Sequence, residues 1–401
     1  MSATEPATPT EPATPTEPAT PTEPATEPAT APVTEPAGEP PADGVPDGLR
    51  VCLLVRYFTV GGLERVVTAL ANDLVARGVP VRVVALAVAR RNALMTELDP
   101  RVEVVSLAGP ARRRLAGVAR LTRDHVVHVH FGDGRIHPLV RLALRGRPTV
   151  VTYHSVYTHK RTWLRNRVDR YVNTRADQVL AVSEAVREFC ATQVGLPAER
   201  VEVVPNAIRL DRPGAEPPAA GADLTVVSLA GLHPHKNQAA VLAGVARARR
   251  AGTDVRLRVI GDGPQMAELF QQARESGIAD AVDWYGQVWR RDLVLPLLGS
   301  SGAFVSASRF EGMPISILEG LAAGLPMLLS DIPPHRETAG DAALYFPPDS
   351  PADLAAALRL LAEDPARRRD LAKASLERSG RFDPDRFVER HLRVYRRVAA
   401  R

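Results

Sequence analysis

The chain has 401 residues, with 51 Lys and Arg against 46 Asp and Glu and 45% hydrophobic residues. That is globular composition, long enough for two or three domains. Its two cysteines, Cys52 and Cys190, exclude a disulfide framework and a cysteine-rich metal site, and a reducing cytoplasm is the simpler reading. No apolar run approaches the ~20 residues of a spanning helix, and the N-terminus lacks the basic-then-apolar order of a signal peptide.

Residues 1–48 hold 13 of the 35 prolines, nine acids and no Lys or Arg. Setting those nine acids aside leaves a net charge of +14 on residues 49–401. So basic a body favours anionic partners: nucleotides, phosphorylated substrates, nucleic acid or an acidic membrane surface. The tail begins as a TEPATP-type repeat with almost nothing to bury, which cannot offset its ordering entropy. A disordered spacer is expected there.

From Leu49 the pattern changes. Short β-branched runs at 51–55, 81–87, 102–107, 126–131, 149–154, 179–183 and 201–205 predict strands. Helical patterns, such as those over 63–78 and 183–195, alternate with them. Near-continuous apolar strands between helices imply parallel sheets buried on both faces. The stretch 211–223, rich in Pro, Gly and Ala, reads as a linker. A second series follows, with strands at 224–230, 255–261, 282–286, 302–308, 326–330 and 343–346, and helices dominate after Pro351. The expected fold class is α/β: a tail (1–48), two doubly wound Rossmann-like domains facing a central cleft (49–210 and 211–382), and a C-terminal helix (383–401) packing back on the first domain. Asp383-Pro384-Asp385 reads as the N-cap of that helix rather than a metal motif.

Ligands in such sheets sit beyond the carboxyl ends of the strands, and four motifs lie there. Gly61-Gly62 precedes a helix and lets the backbone approach a phosphate. It is not the G-x-G-x-x-G pattern of dinucleotide binders. Lys236, followed by Asn237, sits at a strand–loop–helix junction and suits a diphosphate. In SRFEGMPISILEGLAAGLP (308–326), Glu311 lies on a loop and Glu319 within the following helix, eight residues on. Gly312, Met313, Pro314 and Ile315 form the helix start, where free amides can hold phosphate while the carboxylates hold hydroxyls. Finally, His128, His130, Tyr153 and His154 close two strands; with Arg65 they are the other candidates for the cleft. Histidines there can carry protons or donate hydrogen bonds. No Cys, Asp or Glu set accompanies them at a metal-binding spacing.

Together GGLERVVTALA, TYHS, VSEAVRE, VPNAI, LHPHKN, VIGDGP and SRFEGMPISILEGLAAGLP resemble, in order and spacing, the family 4 retaining glycosyltransferases of the two-Rossmann-domain (GT-B) fold. The resemblance implies an acceptor-binding first domain, a nucleotide-sugar-binding second domain and hexosyl transfer from a UDP- or GDP-linked donor, with no required metal or other cofactor. It implies that Glu311 contacts the donor sugar, Glu319 the ribose, and Lys236 with the amides near Gly62 and Met313–Ile315 the diphosphate. His154 matches the histidine near the reacting centre. Two positions depart from the family: Gly231 stands where an Arg usually precedes the phosphate-binding Lys by five residues, and Ala207 and Arg209 alter P-N-G-[I/V]-[D/N]. The basic segments 112–123, 141–147 and 159–170 fit an anionic, glycan or lipid-linked acceptor and peripheral association with an acidic inner membrane face; no nucleic-acid-binding module is recognisable. Two other readings are a non-catalytic nucleotide-sugar-binding or scaffold protein, and a phosphorylase-like transferase that would need a further phosphate pocket.

Overall fold

The computed structural model describes residues 48–401 apart from Val60, 89–93, Ala108, 132–137, 157–162, 209–223 and Trp289. The repeat tail to residue 47 and the 211–223 linker lie outside the described residues.

Two all-parallel sheets carry the fold. The first contains β1 (Val51–Phe58), β2 (Val81–Val88), β3 (Glu103–Ser106), β4 (Val126–His130), β5 (Thr149–Tyr153), β6 (Gln178–Ala181) and β7 (Val201–Val203), in the order β3-β2-β1-β4-β5-β6-β7. The second contains β8 (Leu224–Leu229), β9 (Val255–Ile260), β10 (Val282–Gly286), β11 (Ala303–Ser306), β12 (Met327–Ser330) and β13 (Ala343–Phe346), in the order β10-β9-β8-β11-β12-β13. Both are doubly wound α/β units. Every residue of β4 and β5 is buried, which is why these strands read as continuous runs rather than alternating ones.

The core is continuous between the sheets. Met313, Ile315 and Leu318 from the second half belong to the same apolar cluster as Val55, Val129 and Val151 from the first. The last helix, Pro384–Ala399, starts with Asp383 accepting from the Arg386 amide and Pro384 in its first turn. It buries Phe387, Val388, His391, Leu392, Val394, Tyr395 and Val398 and packs against β4, β5 and the helix Gly62–Ala76. Among the described residues no helix is long and apolar enough to cross a membrane.

Two local features differ from the sequence pattern. β1 runs three residues past its apolar stretch, because Arg56 and Tyr57 face outward at its end while Phe58 returns to the core. The helix from Glu184 is α-helical only to Phe189; it widens to a π-turn over Cys190–Val194 and stops at Gly195, whose φ of 77° is the left-handed conformation glycine adopts freely.

Candidate active site

In each sheet the strand order reverses beside its first strand, between β1 and β4 and between β8 and β11. Val55 pairs with His130 in register, so β1 and β4 deliver their ends at one level. Both reversal points open into one cavity of about 720 Å³, the size of a small-molecule site. Arg56, Tyr57, His130 and His154 line it from the first sheet; Ala230, Gly231, Asp262 and Glu311 line it from the second.

Two loops meet across the cavity floor. Ser155 and Gly312 form an isolated antiparallel bridge, and Ser183 Oγ donates to the Gly312 carbonyl at 2.9 Å. Asn206 Nδ2 donates to the Met313 carbonyl at 3.0 Å. A Cβ at Gly312 would fall 2.0 Å from the His154 carbonyl oxygen, so only glycine permits this approach. Helix starts converge here as well: Gly62, first residue of the helix Gly62–Ala76, lies beside Ile315, first residue of the helix Ile315–Ala322. Neither N-cap, Gly61 or Pro314, supplies a capping side chain. At the Ile315–Ala322 start the first amides and positive dipole end are available to an anion, whereas at the Gly62–Ala76 start the Glu64 carboxylate, which also lines the cavity, accepts from its own backbone amide.

Charge is arranged in two pairs. Lys236 Nζ donates to Glu311 Oε1 at 2.5 Å. Burial pushes the Glu311 carboxyl up, but Lys236 and His335 outweigh it and hold it below its ordinary value. Glu319, 5% exposed, lies 3.6 Å from Arg291 Nη2. Here burial wins and the carboxyl is pushed up, with Arg291 and Arg65 opposing only in part. Among the described residues, the buried guanidinium nitrogens Arg291 Nε and Nη2 and Arg65 Nη1 make no hydrogen bond, although Arg65 Nη1 faces Glu97 at 3.8 Å as Arg291 Nη2 faces Glu319. A buried donor left unpaired is costly, and these suit the oxygens of a polyanionic or polyhydroxyl ligand.

The histidines form a chain leading inward. His154 Nε2 and His130 Nδ1 lie 3.0 Å apart, so one N–H donates to the other ring's lone pair. The His130 and His128 rings are 3.8 Å apart. His128 is held between the Tyr395 hydroxyl at 2.7 Å and the Thr152 hydroxyl at 2.6 Å. Burial, with His391 second, lowers the His154 pKa to about 3. His154 is thus neutral at physiological pH; it can exchange hydrogen bonds through Nδ1 but holds no proton to give as an imidazolium.

Residues 60–212 match Glycosyltransferase Family 4, and residues 215–378 match Glycosyl transferases group 1. The chain belongs to glycosyltransferase family 4. It is 27% identical over 300 residues to the glycogen synthase of Mycobacterium tuberculosis, covering 71% of each chain. It is 27% identical over 352 residues to the D-rhamnosyltransferase WbpZ of Pseudomonas aeruginosa, covering 79% of this chain and 86% of that one. It also matches an exopolysaccharide phosphotransferase of Streptomyces coelicolor, at 28% identity, but spans about a quarter of that longer protein (24%). The fold of HepE from Anabaena, solved with UDP-glucose, superposes with a TM-score of 0.75 at 20% identity, over 88% of this chain and all of that one.

This family 4 chain gathers most of the expected residues in one cavity: Gly61, Gly62, Arg65, His130, His154, Lys236, Glu311, Gly312, Met313, Pro314, Ile315 and Glu319 line it. Three do not. Asn237 is 4% exposed and donates to the Pro348 carbonyl at 2.7 Å; at φ 52° it turns the chain out of the Lys236 loop rather than facing a ligand. His128 and Tyr153 are fully buried, the first tied to Tyr395 and Thr152 and the second accepting from Asn173. His128 lies two residues before the end of β4 and Tyr153 is the last residue of β5, and neither lines the cavity. Arg291, which also lines the cavity, lies outside every sequence motif named above. Its only sequence signal is its place at the helix start just after strand β10.

Proposed function

We propose that this chain is a retaining glycosyltransferase that moves a hexosyl unit from a UDP- or GDP-linked donor to an acceptor hydroxyl. The observation that carries the reading is the Lys236–Glu311 pair, 2.5 Å apart, in one cavity with two converging helix starts. In the transfer the bond between the sugar's anomeric carbon and the diphosphate oxygen breaks, a bond from the acceptor oxygen forms, and the acceptor's hydroxyl proton passes to the leaving diphosphate. The leaving diphosphate gains charge. Lys236 and the amides at Gly62 and Met313–Ile315 are suited to stabilise that charge. Glu311 and neutral His154 would position the sugar, and Glu319 would accept from the ribose hydroxyls. Gly231 stands where the family's usual arginine would reach the diphosphate; Arg65 and Arg291, which line the same cavity, would supply the substitute charge.

The acceptor is a glycan or lipid-linked sugar, and the chain works in the cytoplasm with peripheral contact to the acidic inner membrane face. The basic surface of the first domain supports that part. No metal or other cofactor is required, so turnover should persist in EDTA.

The test has two stages. A thermal-shift screen against UDP, GDP and ADP reads the donor, since a ligand at 100 times its Kd adds ~2.7 kcal/mol. Release of the stabilising nucleoside diphosphate from its sugar conjugates is then measured, and NMR of the glycosidic product reads its anomeric configuration. No stabilisation by any nucleoside diphosphate would sink the reading; an inverted product would sink retention alone.

A further inference from the structure

The four most exposed large apolar side chains among the described residues are Trp163, Leu142, Tyr171 and Leu164, at 70, 63, 61 and 60%. They belong to two short helices of the first domain, Pro138–Ala143 and Trp163–Asn173, which pack together. Such side chains scattered singly would need no explanation, but a cluster does.

Charge accompanies them. Between residues 138 and 175 the sequence has nine Lys and Arg and a single acid, Asp169. Asp169 is buried, at 6%. On the helix Trp163–Asn173 the outward positions alternate in chemistry: Trp163 and Leu164, then Arg167 and Val168, then Arg170 and Tyr171. Arg167, Arg170, Tyr171, Thr174 and Arg175 line a surface pocket. The Arg167 guanidinium lies 5.4 Å from the Trp163 ring centre and that of Arg175 3.4 Å from the Tyr171 ring centre, so rings and cations form one patch.

We propose that this face docks the protein on a bilayer carrying anionic phospholipids. Trp163, Leu164, Leu142 and Tyr171 would enter the interfacial layer, and the arginine pocket would take a headgroup phosphate. Each half of the patch selects the partner. Exposed leucines and tryptophan gain little from a nucleic-acid backbone, whereas guanidinium groups interleaved with them match an interface that is apolar below and anionic above. Two copies of the same basic face would repel, which disfavours self-association. The inference deepens the membrane part of the proposed function, and its test reads binding rather than transfer, so the two can fail separately.

The test is co-sedimentation of the full chain with vesicles of phosphatidylcholine, with and without phosphatidylglycerol. Binding is expected only with the anionic lipid and should weaken with salt. Trp163→Ser/Leu164→Ser and Arg167→Glu/Arg170→Glu should each weaken it by about tenfold or more, while melting temperature and release of nucleoside diphosphate from the donor stay as in the parent. Both pairs alter exposed side chains outside the cavity, so unfolding is not expected. The proposal is overturned by equal binding to neutral vesicles, or by parental binding of both double variants. It is also overturned if Trp163→Ser/Leu164→Ser instead changes the oligomeric state without lipid, or if glycerol phosphate alone at matched phosphate concentration abolishes vesicle binding.

Discussion

Lys236 and Glu311 neutralise one another, so neither can be replaced without leaving the other charge poorly compensated in a cavity wall. Lys236→Ala should weaken nucleoside diphosphate binding by roughly 10- to 150-fold, the value of a charge-assisted contact of ~1.5–3 kcal/mol. Glu311→Gln should lower kcat at least about tenfold with little change in KM, because its contacts lie near the bond that breaks. The double variant should lose less than the two losses combined, since the unpaired-charge penalty then disappears. Strictly additive losses in calorimetry and steady-state kinetics would mean that the pair does not act as a unit. Arg291 invites a separate test. It opposes the upward push on Glu319, so Arg291→Gln raises that carboxyl further. Donor KM should then rise in the variant, and the rise should set in at a higher pH on acidification than in the parent, as Glu319 protonates and stops accepting from hydroxyls. An unchanged KM–pH profile would remove Arg291 from donor binding. The cavity positions of Glu311 and Lys236 were legible because charged residues in loops beyond strand ends are informative by position, and that of Glu319 through its eight-residue spacing from Glu311. His128 and Tyr153 were not, because sequence spacing does not say which side chains near a strand's end turn into the core, where both are fully buried.

The C-terminal helix closes the first domain, and one hydroxyl ties it to the histidine chain. Tyr395, fully buried, shares a hydrogen bond with His128 Nδ1 at 2.7 Å. Tyr395→Phe keeps the ring packing and leaves that nitrogen without a partner, at a cost of ~1–3 kcal/mol. Urea unfolding should show a lower midpoint with an unchanged slope, and donor affinity should stay parental because the cavity loops are not touched. An unchanged midpoint would mean that the bond contributes nothing to the helix's attachment. At this scale the sequence was most readable. β-branched runs such as TVVTY and VVHVH have one solution, a parallel strand covered on both faces, and the sheets contain them nearly residue for residue. The widening at Cys190–Val194 was not readable, since its side chains keep a helical apolar spacing and only the hydrogen-bond ring size changes.

Across the whole molecule, the unusual feature is how many histidines the fold encloses. His128, His130, His335 and His391 are 3% exposed or less. Burial lowers the pKa of each: well below normal for His128 and His130, and to about 4 for His335 and His391. Above pH ~7 these groups are neutral folded or unfolded and contribute nothing to pH dependence. As pH falls through ~6.5 the unfolded chain takes up protons that the folded chain refuses, so stability falls by up to ~1.4 kcal/mol per pH unit for each histidine. Carboxyls pushed up by burial, Glu64, Glu319 and Glu337, act in the opposite sense as pH falls toward their ordinary value of 4.5. Glu311, held low, loses its contribution at still lower pH. Unfolding free energy from urea titrations should therefore be level from pH 8 to 7 and decline between about pH 6.5 and 5. His391→Gln should make that decline shallower by about one histidine's share, even if it lowers the plateau through lost packing. A parent curve that stays flat to pH 5.5, or a variant with the parent's slope, would show that these rings are not enclosed in the neutral form.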